Sequence, residues 1–128
     1  QNSSQKGMRL DVFIKSKNSC WVIDSKYYTA TGAHDAPGWS DLVKQFFYVK
    51  AVRLIYPELE MVKNIFIFPG ITNPLSNIQM VYREESKDED KLEKLTEDFI
   101  PIECLYLDPN DVMEKYLKSK KVYITDYI

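Results

Sequence analysis

The chain has few of the side chains that build zinc sites and disulfide frameworks. His34 is its only histidine, and its two cysteines, Cys20 and Cys104, each lie inside an apolar run with no C-x-x-C partner. Zinc sites use closely spaced cysteine and histidine ligands, so the shortage argues against a zinc centre. Disulfides are rare in reducing compartments, and we expect two reduced core thiols in a cytoplasmic protein.

Long apolar runs are also missing. No run reaches the roughly 18 residues of a membrane-spanning helix, and the opening QNSSQKG lacks the regions of a signal peptide. We therefore expect no membrane association. The chain starts without Met on a polar segment, and we expect residues 1–7 to be disordered or a linker and the whole to be a fragment of a longer protein. With 45% hydrophobic residues, 8–128 can form one domain.

The net charge of −2 hides an asymmetry between the two halves of the chain. Residues 1–63 carry nine Lys and Arg against six Asp and Glu, whereas residues 64–128 carry eight against thirteen. The first half can therefore face a polyanion, and the second half cannot do so uniformly.

Apolar periodicity and turn residues predict five strands and two helices. The polar turn KSKNS, centred on Lys17 and Asn18, predicts a hairpin between the first two strands. The predicted strands are 8–14, 19–28, 62–69, 78–84 and 99–108, the last broken near Pro101; one helix runs from an N-cap at Ser40 to about Tyr56, and the other begins with a capping Asp108 and Pro109. The charged run 84–97 is typical of a solvated loop or short exposed helix. Interleaved strands and helices predict an α/β fold, with a central mixed β-sheet flanked by helices.

An acidic residue followed two positions later by Lys occurs three times in the sequence. Two of these pairs, Glu85 with Lys87 and Glu89 with Lys91, lie in the charged run, where solvated side chains are expected. Asp24 and Lys26 differ because they end the apolar strand SCWVIDSKYY. Strand alternation directs both side chains to one face, which marks this pair as a candidate site.

Asp11 interrupts the apolar strand MRLDVFI in a similar way. A hairpin can bring Asp24 alongside Asp11, and two adjacent carboxylates repel each other unless a cation lies between them. Oxygen ligands favour Mg²⁺ or Mn²⁺, which would polarise a phosphodiester and activate water. Lys26 would then position the attacking water or stabilise the developing negative charge.

Plainer interpretations remain open for each of these residues. Asp11 could be a polar residue of an edge strand, and Asp24 with Lys26 could be a surface ion pair worth under about 1 kcal/mol. Four aromatic residues are more typical of core or rim positions than of base stacking: Trp21, Tyr27, Tyr28 and Trp39. Lys44 is expected to be exposed, and His34 lies in a loop where a DNA contact is conceivable.

Asp11 is followed, after twelve intervening residues, by Asp24-Ser25-Lys26 at the end of a hairpin, and a helix comes next. This arrangement resembles the PD-(D/E)xK nuclease superfamily. The segment PGWSDLVKQFFYVKA, residues 37–51, is similar to the helix of the LlaJI-type restriction endonucleases, in which a Pro-Gly turn precedes a Lys-Gln-aromatic-x-Tyr run. The resemblance implies a restriction-endonuclease-like core.

The resemblance also implies roles for particular residues. Asp11 and Asp24 would be metal ligands, with the main-chain carbonyl of Ser25 as another, and Lys26 would be the catalytic lysine. Gln45 and Tyr48, three apart on the helix and so on one face, match residues that orient the site or touch the DNA backbone. Two departures are that Asp24 stands where Glu is commoner, and that the acidic residue many members supply from a preceding helix has no counterpart.

The function implied is a Mg²⁺- or Mn²⁺-dependent endonuclease of a restriction system, acting on double-stranded DNA. Target choice would come from a separate specificity or NTPase motor domain or subunit, because the chain has no recognisable helix-turn-helix or finger. Cleavage of both strands would require two sites, as in a homodimer. The alternatives are a non-catalytic nuclease-fold module that binds DNA or a partner protein, and a structure-specific repair nuclease.

Overall fold

The computed structural model describes residues 12–80 and 98–119, together with Tyr123 and Tyr127. In this part of the chain, five strands form one mixed sheet in the order β1-β2-β3-β5-β4, flanked by two α-helices. The strands are β1 (Val12–Lys15), β2 (Ser19–Ser25), β3 (Met61–Pro69), β4 (Asn77–Ile78) and β5 (Ile102–Leu107), and the helices are α1 (Trp39–Ile55) and α2 (Pro109–Ser119). The α/β fold predicted from the sequence is confirmed.

The first two strands form the predicted antiparallel hairpin. Val12 pairs with Ile23 and Lys15 with Cys20. Its tight turn, through Lys17 and Asn18, is closed by the Ser16 amide, which donates to the Ser19 carbonyl over 2.9 Å. The hairpin therefore sets the register of β2, the strand that ends in the candidate site.

Parallel pairing places β3 at the centre of the sheet. It pairs with β2 on one side and β5 on the other, and α1 connects β2 to β3. Five consecutive β3 residues, Asn64 to Phe68, are buried, as expected of a strand covered on both faces. The crossover brings the start of α1 back towards the carboxyl end of β2.

The two faces of the sheet bury different clusters. On the α1 face, Phe46, Tyr48, Val49 and Val52 of the helix belong to clusters with Cys20, Val22, Phe66 and Phe68 of the strands. On the opposite face, Ile23, Ile65 and Ile67 are buried with Trp21 and Leu105 against them. Cys20 and Cys104 are buried free thiols, as predicted, and burial raises the pKa of each to about 11.

Helix α1 starts earlier than the sequence indicates. Ser40 is not its N-cap: Gly38 holds that position in an extended conformation, and the helix begins at Trp39. The Leu42 amide donates to the Gly38 carbonyl over 3.1 Å, which is the first helical hydrogen bond. The predicted capping of the second helix is confirmed, since Asp108 Oδ1 accepts from the Asn110 amide at 2.9 Å.

Three strands are shorter than predicted. β2 ends at Ser25, so Tyr27 and Tyr28 lie beyond it. β5 covers Ile102–Leu107 rather than 99–108, and β4 covers only Asn77–Ile78, with its pairing ending at Ile78 opposite Ile102. The remaining predictions for 1–11 and 81–97, including most of the first strand and the charged run, lie outside the described residues.

Candidate active site

The site lies where β2 ends beside β3. Asp24 is in register with Phe66 and Ser25 with Ile67. The Lys26 amide donates to the Ile67 carbonyl over 2.8 Å, which continues the ladder one residue past the strand. The backbone that carries Asp24 and Lys26 is therefore held by the central strand of the sheet.

Lys26 forms ion pairs with two carboxylates. Its Nζ lies 2.8 Å from Asp24 Oδ2 and 3.2 Å from Asp41 Oδ2. The first distance confirms that Asp24 and Lys26 share a face, as strand alternation predicts. The second was not predicted from the sequence, because Asp41 comes from the first turn of α1, fifteen residues away.

The Lys26 side chain is largely enclosed. It is 12% exposed, compared with 22% for Asp24 and 38% for Asp41. Its Nζ lies 5.2 Å from the centroid of the Phe66 ring, within cation–π range. It also borders a cavity of about 500 Å³ whose other walls are mainly apolar and include Ile67, Leu107 and Tyr116. The ammonium thus sits at a boundary between an apolar pocket and two acids.

The two acids determine the charge of Lys26. Burial acts to lower the pKa of its ammonium, but the hydrogen bonds and negative charges of Asp24 and Asp41 together outweigh burial, so this pKa is raised above its ordinary value. Lys26 is consequently a cation at neutral pH. It can donate hydrogen bonds and stabilise negative charge, and it is not available as a general base.

The other metal ligand predicted from the residues, Asp11, lies outside the described residues, as do the two acid-x-Lys pairs of the charged run. Within the described ranges, no group of three or more His, Cys, Asp or Glu side chains is placed to hold a metal ion. Asp24 and Asp41 supply carboxylate oxygens, the donor type that Mg²⁺ prefers. Two carboxylates bound to one ammonium do not complete such a site, so its fit to a metal depends on a further ligand.

Gln45 and Tyr48 lie on the buried side of α1. Gln45 is 2% exposed, and its Nε2 donates to the carbonyls of Val22 at 3.2 Å and Ile65 at 3.3 Å. Tyr48 is 7% exposed and belongs to the cluster around Cys20 and Val22. Gln45 therefore joins the helix to β2 and to β3. The bond to Val22 lies two residues before Asp24, and the bond to Ile65 lies one residue before Phe66.

The prediction that Tyr27 and Trp39 are core or rim residues is wrong. Tyr27 is 95% exposed and Trp39 67% exposed, because the first follows the end of β2 and the second opens α1. Tyr27 directly follows Lys26 in the chain, and Trp39 comes two residues before Asp41. Lys44 is exposed as expected. His34 is exposed and reaches Thr31 and Asp35 of its own loop.

One sequence signal could have revealed Asp41. In a strand–helix–strand unit, the helix starts at the edge of the sheet where the first strand ends, so a first-turn acid lies near that strand's last residues. The sequence indicates a helix start near residue 40 with Asp41 in its first turn. An acid in that position also favours the helix dipole, so its presence alone does not identify a site residue.

The comparison with known families confirms the resemblance to the LlaJI-type restriction endonucleases. A protein-family model described as LlaJI restriction endonuclease matches residues 1–102 of the 128. The chain therefore belongs to the LlaJI restriction endonuclease family, a family of restriction-system nucleases whose name implies DNA as substrate. No curated protein and no solved structure matches the chain. Among the described helices, none has the length and apolar character needed to cross a membrane.

Proposed function

We propose that this chain is a Mg²⁺- or Mn²⁺-dependent endodeoxyribonuclease of a restriction system, with Asp11, Asp24 and Lys26 as its catalytic groups. The observation that supports this most strongly is the enclosed pair of Asp24 and Lys26 at the end of β2, in a member of a restriction endonuclease family. A surface ion pair of no function would not require this degree of enclosure.

The hairpin register supports the inclusion of Asp11. The described ladder ends with Val12 opposite Ile23. We propose that the pairing continues by one residue, so that position 11 would stand opposite position 24, since directly opposed residues of an antiparallel pair share a face. Under this proposal Asp11 and Asp24 supply carboxylate oxygens and Ser25 its main-chain carbonyl to one divalent ion. That ion would polarise the phosphodiester and make a bound water more acidic.

Lys26 contributes charge to the reaction. As an ammonium it can donate to a non-bridging phosphate oxygen or to the attacking water, and it would stabilise the negative charge that develops in the transition state. Gln45 assists indirectly in this proposal: its two hydrogen bonds attach α1 to the middle of β2 and β3, a short distance before the strand ends that carry the site. Tyr48 is buried in the cluster with Cys20 and Val22 and helps to hold the helix on the sheet.

The proposed substrate is double-stranded DNA. The excess of positive charge in residues 1–63, which contain the site, fits contacts with phosphates. The exposed rings of Tyr27 and Trp39 adjoin the site and offer further surface to a nucleic acid. Target choice is assigned to a separate specificity or NTPase motor domain or subunit, and cleavage of both strands to a homodimer or larger assembly.

A second candidate is a non-catalytic nuclease-fold module. It is favoured by the ion pairs of Lys26, which bind the carboxylates of both Asp24 and Asp41 to an ammonium, and by the lack of a three-ligand metal cluster among the described residues. Such a module would bind DNA or a protein without cutting.

Plasmid cleavage separates the two candidates. Supercoiled DNA is incubated with Mg²⁺ or Mn²⁺ and either the wild-type chain, Lys26→Ala or Lys63→Ala. Lys63 is the matched control, a strand lysine paired with Glu103 at 3.7 Å and 42% exposed. We expect relaxed or linear product with the wild type and Lys63→Ala, and none with Lys26→Ala. DNA binding without cleavage by the wild type in either metal would support the module instead.

A further inference from the structure

Lys26 has one more carboxylate partner than the proposed reaction uses. Asp24 is assigned to the metal, whereas Asp41 has no assigned role. Asp41 belongs to a different element, and its Oδ2 lies 3.2 Å from Nζ, only slightly farther than Asp24 Oδ2 at 2.8 Å. Two acids from separate elements therefore converge on one ammonium.

A metal ion bound to Asp24 would compete with Lys26 for its carboxylate. A carboxylate that binds a divalent ion has less negative charge to offer to a neighbouring ammonium. Lys26 is only 12% exposed, so water cannot fully replace a lost partner. Asp41 is the second described carboxylate beside Nζ, and it would remain as a partner if Asp24 bound a metal ion.

Three contacts from two elements hold Lys26 besides its pair with Asp24. Its backbone amide donates to the Ile67 carbonyl of β3, and the Phe66 ring of the same strand lies under its ammonium. Asp41 supplies the third contact, from the first turn of α1. The ammonium therefore lies between the end of β2 and the start of α1.

We propose that Asp41 is a positioning residue, which holds the Lys26 ammonium in place while Asp24 is bound to the metal. This inference rests on the proposed nuclease function. Asp41 contacts Lys26 and need not touch the DNA or the metal.

The first test measures plasmid cleavage kinetics in Mg²⁺ with Asp41→Asn and Asp41→Glu. We expect Asp41→Asn to lower kcat about 100-fold, with KM for the plasmid changed less than about 2-fold, because an ill-placed catalytic group affects the chemical step. Asp41→Glu, which keeps the charge, should recover most of the rate. Asp111→Asn is the matched control, since Asp111 also lies in a first helical turn and pairs with a lysine, Lys115, at 3.6 Å. Equal rates for Asp41→Asn and Asp111→Asn would refute the proposal.

The second test distinguishes positioning from metal ligation. Titration calorimetry with Mn²⁺ alone should show binding to Asp41→Asn within about 3-fold of the wild type, and much weaker binding to Asp24→Asn, because removal of a ligand carboxylate costs metal affinity. If Asp41→Asn loses affinity as Asp24→Asn does, Asp41 is a ligand and the proposal is wrong.

The third test does not depend on cleavage. In a ¹⁵N-lysine-labelled chain, the Lys26 ammonium signal, assigned by its disappearance in Lys26→Arg, should persist when Mg²⁺ is added to the wild type. In Asp41→Asn the signal should be lost to exchange with water once Mg²⁺ is added. Its persistence in Asp41→Asn would overturn the positioning role. If the wild-type chain does not cleave DNA at all, the nuclease proposal fails, and this measurement still decides whether Asp41 holds Lys26.

Discussion

Two lysines on neighbouring strands of the same sheet have different surroundings. Lys63 of β3 pairs with Glu103 at 3.7 Å, and both side chains are more than 40% exposed. Lys26, at the end of β2, pairs with Asp24 at 2.8 Å and with Asp41, and is 12% exposed over the Phe66 ring. Both are lysine–carboxylate pairs by distance, but only Lys26 is enclosed.

The difference follows from position along the strands. Lys63 lies near the start of β3 and shares a face with Ile65 and Ile67, towards the sheet surface opposite α1. Lys26 lies at the carboxyl end of β2, on the face covered by α1, where the start of the helix and the central strand meet. Solvent weakens the Lys63 pair more than the Lys26 pair, because both side chains of the Lys63 pair are exposed to water.

The largest expected effect comes from removing the aromatic ring beneath Lys26. Phe66 is completely buried, so Phe66→Ala should lower the free energy of unfolding by about 3–5 kcal/mol through lost packing and a cavity. Urea unfolding followed by tryptophan fluorescence measures the change. Phe47→Ala is the control, because Phe47 is 53% exposed and should cost less than about 1 kcal/mol. Similar costs for the two variants would show that the core beneath the site is not packed as described.

A smaller effect on the free energy of unfolding is expected when each lysine is replaced with methionine. Lys26→Met leaves two carboxylates close together without a cation and should cost about 1–2 kcal/mol, between the values for exposed and for buried pairs. Lys63→Met should change stability by no more than about 0.5 kcal/mol. Mg²⁺ should raise the melting temperature of Lys26→Met more than that of the wild type, since it replaces the missing positive charge.

Differential scanning calorimetry with and without Mg²⁺ measures that comparison. The outcome that contradicts it is an equal shift of the melting temperature in Lys26→Met and in the wild type. In that case the two acids do not form a cation site when Lys26 is replaced.

The sheet could be predicted from sequence because its signals are local. The apolar run at 62–69 and the polar turn at Lys17 and Asn18 specify a buried strand and a hairpin within a few residues. The end of β4 could not be predicted in this way, because it depends on where its partner β5 begins, at Ile102 in a later part of the chain. The start of α1 was misplaced by a preference for serine caps over the glycine that the chain uses.

The same distinction applies to the candidate site. Strand alternation needs only a spacing of two, and it correctly places Asp24 and Lys26 on one face. The contact between Lys26 and Asp41 spans fifteen residues and depends on how the connection 26–38 brings the start of α1 to the end of β2. Exposure of Tyr27 and Trp39 was missed because apolar character alone does not reveal which aromatic residues lie beyond the ends of their elements.

The smallest expected effect concerns salt, and it compares the two lysines directly. Double-mutant cycles for Lys26 with Asp41, and for Lys63 with Glu103, measure the coupling energy of each pair from urea unfolding. At low salt we expect a coupling energy of about 1 kcal/mol for Lys26 with Asp41 and under about 0.5 kcal/mol for Lys63 with Glu103, because exposed pairs are weak. At 1 M NaCl the Lys63 coupling should vanish, since exposed charges are screened over about 3 Å, while most of the Lys26 coupling should survive in its enclosed position. If both couplings fell to zero at high salt, Lys26 would be as accessible to ions as Lys63, and its enclosure could not explain a catalytic role.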